Sequence, residues 1–252
     1  KPEHIGEKLG EYLKVNSSII SDFNVVKGFL NFDLSDNYLI SIFNHINDHK
    51  SWGYKSSSGK EVMVEFSSPN TNKPLHLGHM RNIFLGYSLS KILEANGYKV
   101  HKVQIINDRG IHICKSMVAW NLFGNNETPK STGMKGDKFV GKFYVMFENE
   151  HKKQVDKLVN NGINEEEANV STDIMKMAKD VLLKWENKEN QTVALWKKMN
   201  GWVYEGFQST YDLIDVNFDK NYYESETYLL GKAQIKKGLK SKTFYKEKDN
   251  SV

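Results

Sequence analysis

Residues 61–107 read as a strand, a loop, a helix and a second strand, and this order constrains the fold more than any other feature of the chain. In the first segment, EVMVEFSS, Val62 and Val64 alternate with Met63 and Glu65, which is the two-residue period of a strand. HMRNIFLGYSLSKILEANG has apolar residues at helical spacing, and YKVHKVQIIN is the second strand. Two strands joined by a crossover helix form a βαβ unit, so we expect an α/β domain built on a parallel sheet.

Helical periodicity marks both the crossover and much of the second half of the chain. The crossover helix is predicted to end at Gly97 and to have one apolar side, made of Met80, Ile83, Tyr87 and Ile92. Three further helical segments are predicted near 137–160, 164–187 and 190–214, after a loop in NNETPKSTGMKGD. The last segment has an apolar stripe that is more simply a buried helix face than a ligand-binding surface: Trp196, Met199, Val203, Phe207, Tyr211 and Ile214.

The two ends of the chain give further structural predictions. Residues 1–56 read as a small α+β unit, with helices in HIGEKLGEYLKVN and SDNYLISIFNHINDH around the β-rich FNVVKGFLNFDL. GYKSSSGK, residues 53–60, is small and polar, so we expect domains 1–56 and 57–252 to meet there. Towards the other end, DVNFD predicts a return to the sheet, SETYLLGKAQIKKGL a helix, and KTFYKEK a strand or half-hairpin.

Composition sets broad limits on the class of protein. The 252 residues are 39% hydrophobic and 12% aromatic, which is typical of globular proteins. A net charge of +4 is compatible with a polyanionic partner without demonstrating one. Cys114 is the only cysteine, which fits a reducing compartment such as the cytoplasm. No apolar run approaches the roughly 18 residues of a membrane-spanning helix, so we expect no membrane partner.

The loop of the βαβ unit, SSPNTNKPLHLGHMRN, is the best candidate for chemistry. It leaves the carboxyl end of a strand and enters a helix, where open α/β sheets bind ligands and where unpaired N–H groups favour phosphate. His76 and His79 lie three residues apart on the first helical turn, and Gly78 allows a ligand to approach the backbone. Lys73 adds a mobile cation. These groups suit a triphosphate, whose transferred charge they would stabilise.

Other interpretations of these residues stay open at this point. Histidines at this spacing are often ordinary surface residues. A metal site is conceivable, although the chain has no CxxC or HExxH spacing to support one and we predict none; its ligands would come from His76, His79, His112 or Cys114.

Several motifs together resemble one family. HLGH resembles the HIGH signature of class I aminoacyl-tRNA synthetases, and VEFSSPNTNKPLHLGHMRN is similar to the version found in arginyl-tRNA synthetases. GYKVHKVQIINDRG resembles the next strand of that family and its Gly-Asp-Trp-Gly loop. ALWKKMNGWVYEGFQSTYDLIDVNFDKNYYES resembles the helix that leads into the Phe-Asp and Glu-Ser segment, and VVKGFLNFDL the end of an additional N-terminal domain.

The resemblance implies a fold and an activity. The fold would be the first half of a class I catalytic domain, with a Rossmann-like parallel sheet and a helical insertion at about 123–214, preceded by part of a small α+β tRNA-binding domain. The activity would be that of an arginine–tRNA ligase in protein biosynthesis. It would use ATP with Mg²⁺ to activate L-arginine as an adenylate and then transfer the arginyl group to tRNA(Arg). The full-length enzyme would be a cytoplasmic monomer.

The resemblance also implies roles for individual residues. Glu65 matches the carboxylate that binds the guanidinium or amino group of arginine, and such pairs form charge-assisted hydrogen bonds. Asn70, with Ser68 beside it, matches the substrate-binding asparagine. Catalysis and ATP binding would fall to the signature residues and the lysine upstream, with His79 also near arginine: Lys73, His76, Gly78 and His79.

In the N-terminal unit, Phe29 and Asn31 match positions that contact the tRNA elbow. Phe29 could stack on a base. It could equally be a core residue of a half-buried strand, since the residues that follow it alternate in polarity.

Departures from the family pattern limit the prediction. Arg109 stands where the family has Trp, between the matching Asp108 and Gly110, so its role is open. A Tyr-x-Thr-Arg-Asp segment and a KMSKS-like loop do not occur. We therefore expect that the chain is a fragment cut short near KTFYKEKDNSV, and that it does not aminoacylate alone.

Two alternatives come from other functional classes. Cytidylyl- and adenylyltransferases also use His-x-Gly-His, but they usually have Gly-x-Phe-Asp before it where this chain has Ser-Ser-Pro-Asn. A non-catalytic RNA-binding module is compatible with the mild basicity, but such a module would not require the acid, asparagine, lysine and histidines of the loop.

Overall fold

The computed structural model describes residues 1–247 and 251–252. The chain divides into two compact units, Lys1–Ser56 and Ser57–Val252. The division falls inside the small, polar segment 53–60. No helix in the described part of the chain is long and apolar enough to cross a membrane.

The first unit is two helices and an antiparallel hairpin: α1 (Pro2–Asn16), β1 (Ile20–Val26), β2 (Phe29–Leu34) and α2 (Asp36–Asp48). Lys27 and Gly28 connect the strands, and both have positive φ angles, 51° and 83°. This is the backbone that a two-residue type I′ turn requires.

Helix α1 packs on the hairpin through glycines rather than through its apolar stripe. Gly6 and Gly10 are its buried residues, and they lie against the side chains of Val25 and Phe23. The helix backbone approaches the hairpin closely because neither residue has a Cβ. The apolar stripe of α1 includes Ile5 and Leu9, four residues apart, and these are 67% and 47% exposed.

The second unit contains a parallel sheet of β3 (Glu61–Glu65), β4 (Lys99–Ile106) and β5 (Lys220–Tyr223), in that order. Helix α3 (Leu77–Ala95) is the crossover between β3 and β4. The predicted α/β fold with a parallel sheet is confirmed. The return to the sheet comes slightly later than DVNFD predicts. Before β5 begins, Val216 is buried and the ring of Phe218 packs against Phe66 and Tyr211.

Helix α3 is buried along Ile83, Tyr87 and Ser90, and the prediction that Ile92 shares this side is wrong. Ile92 is 60% exposed. Nine residues after Ile83, at about 100° per residue, it lies roughly half a turn out of phase. Gly86 on the buried side allows Phe66 to pack against the helix backbone.

Among the described residues of this unit, seven more helices follow: α4 (Ile111–Phe123), α5 (Pro129–Thr132), α6 (Gly136–Asn160), α7 (Glu165–Ser171), α8 (Asp173–Glu186), α9 (Asn190–Leu213) and α10 (Glu224–Lys240). The predicted helix at 164–187 is two helices, because Thr172 ends α7 and its hydroxyl accepts a hydrogen bond from the N–H of Met175 to cap α8. Sequence periodicity missed α4, and the loop predicted around 125–137 contains the short α5.

The core lies among α3, α4, α6, α8 and α9, and it contains the stripe predicted on α9. Met199, Val203, Phe207 and Tyr211 are at most 2% exposed, and Trp196 and Ile214 pack against them. Where a strand or half-hairpin was predicted in KTFYKEK, the described residues 242–247 contain no strand and form turns and irregular structure, in which Phe244 folds back onto Gly238. The remainder of that C-terminal stretch includes residues 248–250, which lie outside the described part.

Candidate active site

The loop after β3 has an unusual backbone that two helices hold in place. Ser67 and Ser68 have φ angles of 68° and 44°, in the left-handed region that non-glycine residues rarely adopt. The N–H of Ser67 donates to Oδ1 of Asn82 on α3 (2.5 Å), and its hydroxyl lies 2.7 Å from the hydroxyl of Tyr211 on α9. Surrounding structure therefore over-determines a strained turn, as is common at ligand sites.

Ser68 and Glu65, both predicted to bind arginine, are in direct contact. The Ser68 hydroxyl donates to Oε1 of Glu65 (2.8 Å) and accepts a hydrogen bond from the N–H of Ile105 on β4 (3.0 Å). Glu65 is the last residue of β3 and is exposed. One carboxylate oxygen is thereby oriented by the protein, and the group retains free acceptor positions for a cationic ligand.

Asn70 lies where the loop passes the end of β4. It forms an isolated parallel bridge with Asn107, whose N–H donates to the carbonyl of Pro69 (3.0 Å) and whose carbonyl accepts from the N–H of Thr71 (3.0 Å). A very small cavity of about 20 Å³ opens here between the carboxyl ends of β3 and β4. It is lined by Asn70, Thr71, Asn72, Asn107, Arg109, His112 and Ile113.

His76 and His79 cap the N-terminus of α3 with their side chains. Nδ1 of His76 accepts from the N–H of Gly78 (3.1 Å), and Nδ1 of His79 accepts from the N–H of His76 (3.2 Å). The two rings are 4.0 Å apart between centroids. A neutral imidazole that accepts through Nδ1 carries its proton on Nε2, so each ring has a donor available for a ligand. A Cβ at position 78 would lie 2.9 Å from Cε1 of His76, so a larger residue there would displace the ring that caps the helix.

The environment keeps two histidines of this region neutral. Partial burial, and secondarily the nearby His76, lower the pKa of His79 below the usual value. Burial also lowers the pKa of His112, with further contributions from Lys115 and Lys73. A neutral His79 preserves the acceptor at Nδ1 on which the cap depends.

The free energy of unfolding of the second unit is expected to fall as pH is lowered from about 7.5 to about 5.5. Because both pKa values are depressed by folding, the unfolded chain binds more protons in this range, and the stabilisation is lost as pH falls through the ordinary histidine value. Urea titrations followed by tryptophan fluorescence would measure it. A His79→Gln/His112→Gln variant should flatten the slope, and an unchanged slope in that variant would contradict the assignment.

Lys73, the fourth predicted phosphate-binding residue, is exposed in the loop just before α3. Its Nζ lies 5.7 Å from the centre of the Tyr144 ring on α6. This distance is within the range of a cation–π contact.

Asp108 matches the aspartate of the Gly-Asp-Trp-Gly pattern, and no role was assigned to it from the sequence. In the structure it connects three elements. Its carboxylate accepts from the hydroxyl of Tyr204 (3.0 Å), from the N–H of Ser225 (2.8 Å) and from the Ser225 hydroxyl (2.7 Å). Its carbonyl accepts from the side chains of Trp196 (2.6 Å) and Asn200 (3.1 Å). Asp108 is 1% exposed, so these bonds lie out of water and fix the end of β4 against α9 and the start of α10.

Arg109 has a structural role in place of the tryptophan of the family pattern. Its guanidinium carbon lies 3.9 Å from the centre of the Tyr228 ring and 5.6 Å from that of Trp185, and it forms an ion pair with Glu186 (3.3 Å). The planar cation thus stacks between α8 and α10, where an aromatic ring would also pack.

Phe29 and Asn31 lie in the hairpin of the first unit. Phe29 is 74% exposed, so its interpretation as a core residue is wrong. The side-chain amide of Asn31 donates to Oδ1 of Asn24 on the neighbouring strand (2.9 Å).

In the described part of the chain, no three His, Cys, Asp or Glu side chains are arranged to hold a metal. Cys114 is buried, and burial raises its pKa to about 12. Nδ1 of His112 lies 3.2 Å from the Tyr144 hydroxyl.

Sequence reasoning missed the residues that support the loop from a distance. Asn82, Tyr211 and Asp137 hold it from α3, α9 and α6. Only Asn82 gave any signal, as the last residue of the quoted polar stretch. The other two are separated from the loop by more than 60 positions, which no local pattern reveals.

Comparison with known proteins identifies the family. The family model described as tRNA synthetases class I (R), catalytic domain, matches residues 41–252. Over the whole chain, the arginine–tRNA ligase of Amoebophilus asiaticus is 50% identical and that of Flavobacterium psychrophilum 52% identical, and the chain spans 42% of the length of each.

Solved structures show the same fold. Thermus thermophilus arginyl-tRNA synthetase aligns with a TM-score of 0.58 at 23% identity, over 93% of this chain and 35% of that one. The Plasmodium falciparum enzyme aligns with a TM-score of 0.52 at 19% identity, over 93% and 38%. With the family match covering the sheet, the candidate loop and all the helices from α3 to α10, the chain belongs to the family of class I tRNA synthetase catalytic domains of the arginyl type.

Proposed function

We propose that this chain provides the arginine site and half of the ATP site of an arginine–tRNA ligase. The observation that carries the proposal is that one short loop connects an oriented carboxylate to a helix capped by two histidines. Glu65 ends β3 with Ser68 bonded to it, and His76 and His79 follow at the start of α3. A guanidinium or ammonium group fits the first, and phosphate fits the second.

The chemistry that this arrangement supports is adenylate formation. A carboxylate oxygen of arginine would form a bond to the α-phosphorus of ATP, while the bond from that phosphorus to the oxygen bridging the β-phosphate breaks. The reacting carboxylate belongs to the substrate, so the protein contributes positioning and charge stabilisation. The Nε2–H donors of His76 and His79, the N-terminus of α3 and the Lys73 ammonium would stabilise negative charge on the phosphates. Mg²⁺ bound to the phosphates would neutralise further charge.

In the second step, the arginyl group would move to a hydroxyl of the terminal ribose of tRNA(Arg), with AMP as leaving group. We propose that the first unit contributes to tRNA binding, because Phe29 presents an exposed aromatic ring suited to stacking and Asn31 lies beside it on the same hairpin. The protein would act in the cytoplasm as a monomer. The lone cysteine fits that reducing compartment.

The family match over residues 41–252 argues against the cytidylyl- and adenylyltransferase alternative. The RNA-binding module differs from the proposed function in one measurable respect. It would bind RNA with strong salt dependence and would bind neither arginine nor ATP.

Replacing Glu65 with glutamine is expected to weaken arginine binding about 10- to 100-fold, because a charge-assisted hydrogen bond contributes roughly 1.5–3 kcal/mol. Affinity for ATP should be nearly unchanged. Calorimetric titration of the chain with arginine, and separately with ATP, measures both. A titration with citrulline, which has a neutral urea group in place of the guanidinium, tests whether Glu65 binds the guanidinium.

Glu61→Gln is the matched control, since Glu61 starts the same strand and pairs with Lys99 and His101 away from the loop. It should leave both affinities intact. An arginine affinity equal to that of the unaltered chain in Glu65→Gln would refute the assigned role of Glu65. Binding of RNA alone, without arginine or ATP, would favour the module.

A further inference from the structure

Successive residues of the loop before α3 contact one face of helix α6. The N–H of Leu75 donates to Oδ2 of Asp137 (3.3 Å), and Asp137 is 1% exposed. Pro74 lies against Gly141, where a Cβ would come within 2.8 Å of the proline ring. Asp137 and Gly141 are four residues apart and so lie on one face of α6. The backbone of the loop is therefore seated on this face at two successive positions.

The next position on the same face of α6 is Tyr144, three residues after Gly141. It meets the next residue back along the loop, Lys73, whose Nζ is 5.7 Å from the centre of the tyrosine ring. Contacts at 137, 141 and 144 thus pair in order with residues 75, 74 and 73. The lysine is long and exposed, and without such a contact its ammonium would sample many rotamers.

A contact through its hydroxyl group holds Tyr144 in place. Its hydroxyl is 3.2 Å from Nδ1 of His112 on α4, which lines the small cavity beside Asn70. Burial and the neighbouring Glu148 raise the pKa of Tyr144 to about 12, so the phenol is neutral at pH 7. Glu148 is in turn paired with the buried Lys115 (2.8 Å). The ring that faces Lys73 is fixed by partners on two helices.

We propose that Tyr144 is a positioning residue, which holds the Lys73 ammonium ahead of the N-terminus of α3 so that the nucleotide phosphates meet a cation already in place. The inference rests on the proposed function for its ligand. It gives the helical insertion a direct part in phosphate binding. Restricting the lysine in advance lowers the entropy lost on binding.

The test uses the whole chain with its lysines reductively methylated with ¹³C, which keeps their positive charge. The methyl signal of Lys73, assigned with a Lys73→Arg variant, is expected upfield of exposed lysines because of the Tyr144 ring current. Tyr144→Leu should remove that shift and weaken ATP binding by roughly two- to fivefold, the range of an exposed cation–π contact. Tyr144→Phe keeps the ring and should retain both the shift and most of the affinity.

Tyr222→Leu is the matched control, because the Tyr222 ring lies 4.6 Å from Nζ of Lys220 on β5. It should move the Lys220 signal and leave that of Lys73 and the ATP affinity unchanged. A Lys73 signal that is unshifted in the unaltered chain, or is the same in Tyr144→Leu, would overturn the inference. So would a lost shift with unaltered ATP affinity. If no variant binds ATP, the proposed function fails, while the Lys73 signal still decides whether Tyr144 holds the lysine.

Discussion

Replacing His79 with alanine is expected to lower the rate of arginine-dependent ATP–pyrophosphate exchange by about one to three orders of magnitude, as for other lost charge-stabilising donors. Nδ1 of His79 is occupied by the N–H of His76, which leaves Nε2 to donate to a phosphate. Because the chain spans 42% of its curated relatives, the rate is best measured in a chimera. In it, this chain replaces the matching segment of the Flavobacterium psychrophilum ligase.

Alanine at this position also removes half of the cap of α3, so a second variant separates the two effects. Glutamine at the third helical position can bond back to the N-cap N–H, as in a capping box. His79→Gln should therefore keep the stability of the second unit, measured by urea unfolding, while still losing the imidazole donor. A His79→Gln rate close to that of the unaltered chimera would mean that His79 serves only to cap α3.

Asp108→Ala is expected to reduce the free energy of unfolding of the second unit by about 3–5 kcal/mol. The substitution would leave the Tyr204 hydroxyl and both donors of Ser225 without their acceptor in a site closed to water. Burial, together with Asp108, raises the pKa of Tyr204, so the phenol remains a donor at neutral pH. Attachment of the start of α10 to the sheet depends on these bonds.

Urea titration gives the change in stability, and hydrogen exchange of the first turn of α10 reports the local loosening. Asp108→Asn keeps one acceptor oxygen and should lose roughly half as much stability. Asp212→Ala on α9 is the control, since Asp212 is exposed and its carboxylate accepts a hydrogen bond from Gln208 one turn away. It should change stability by less than about 0.5 kcal/mol. An Asp108→Ala midpoint equal to that of Asp212→Ala would contradict the assigned role.

The sequence predicted structural features that depend on neighbouring residues better than features that depend on distant ones. Helix α9 was predictable because Met199, Val203, Phe207 and Tyr211 repeat at the helical period that burial on one side requires. Ile92 was misassigned because nine residues are two and a half turns of a helix, which places it opposite Ile83. For Phe29, alternation along a strand could not tell which side of a two-stranded hairpin would be covered.

The candidate site divides in the same way. Local sequence was sufficient for the strand, the loop and the helix, because the strand and helix periods are properties of neighbouring residues. It did not predict the left-handed backbone of Ser67 and Ser68 or the histidine cap of α3. The long-range partners came only with the tertiary structure. Ser67 with Tyr211, Leu75 with Asp137, Lys73 with Tyr144 and Asp108 with Ser225 are contacts between residues 62 or more positions apart. Such contacts depend on how helices dock around the sheet, and docking is governed by the packing of the whole core rather than by any single segment.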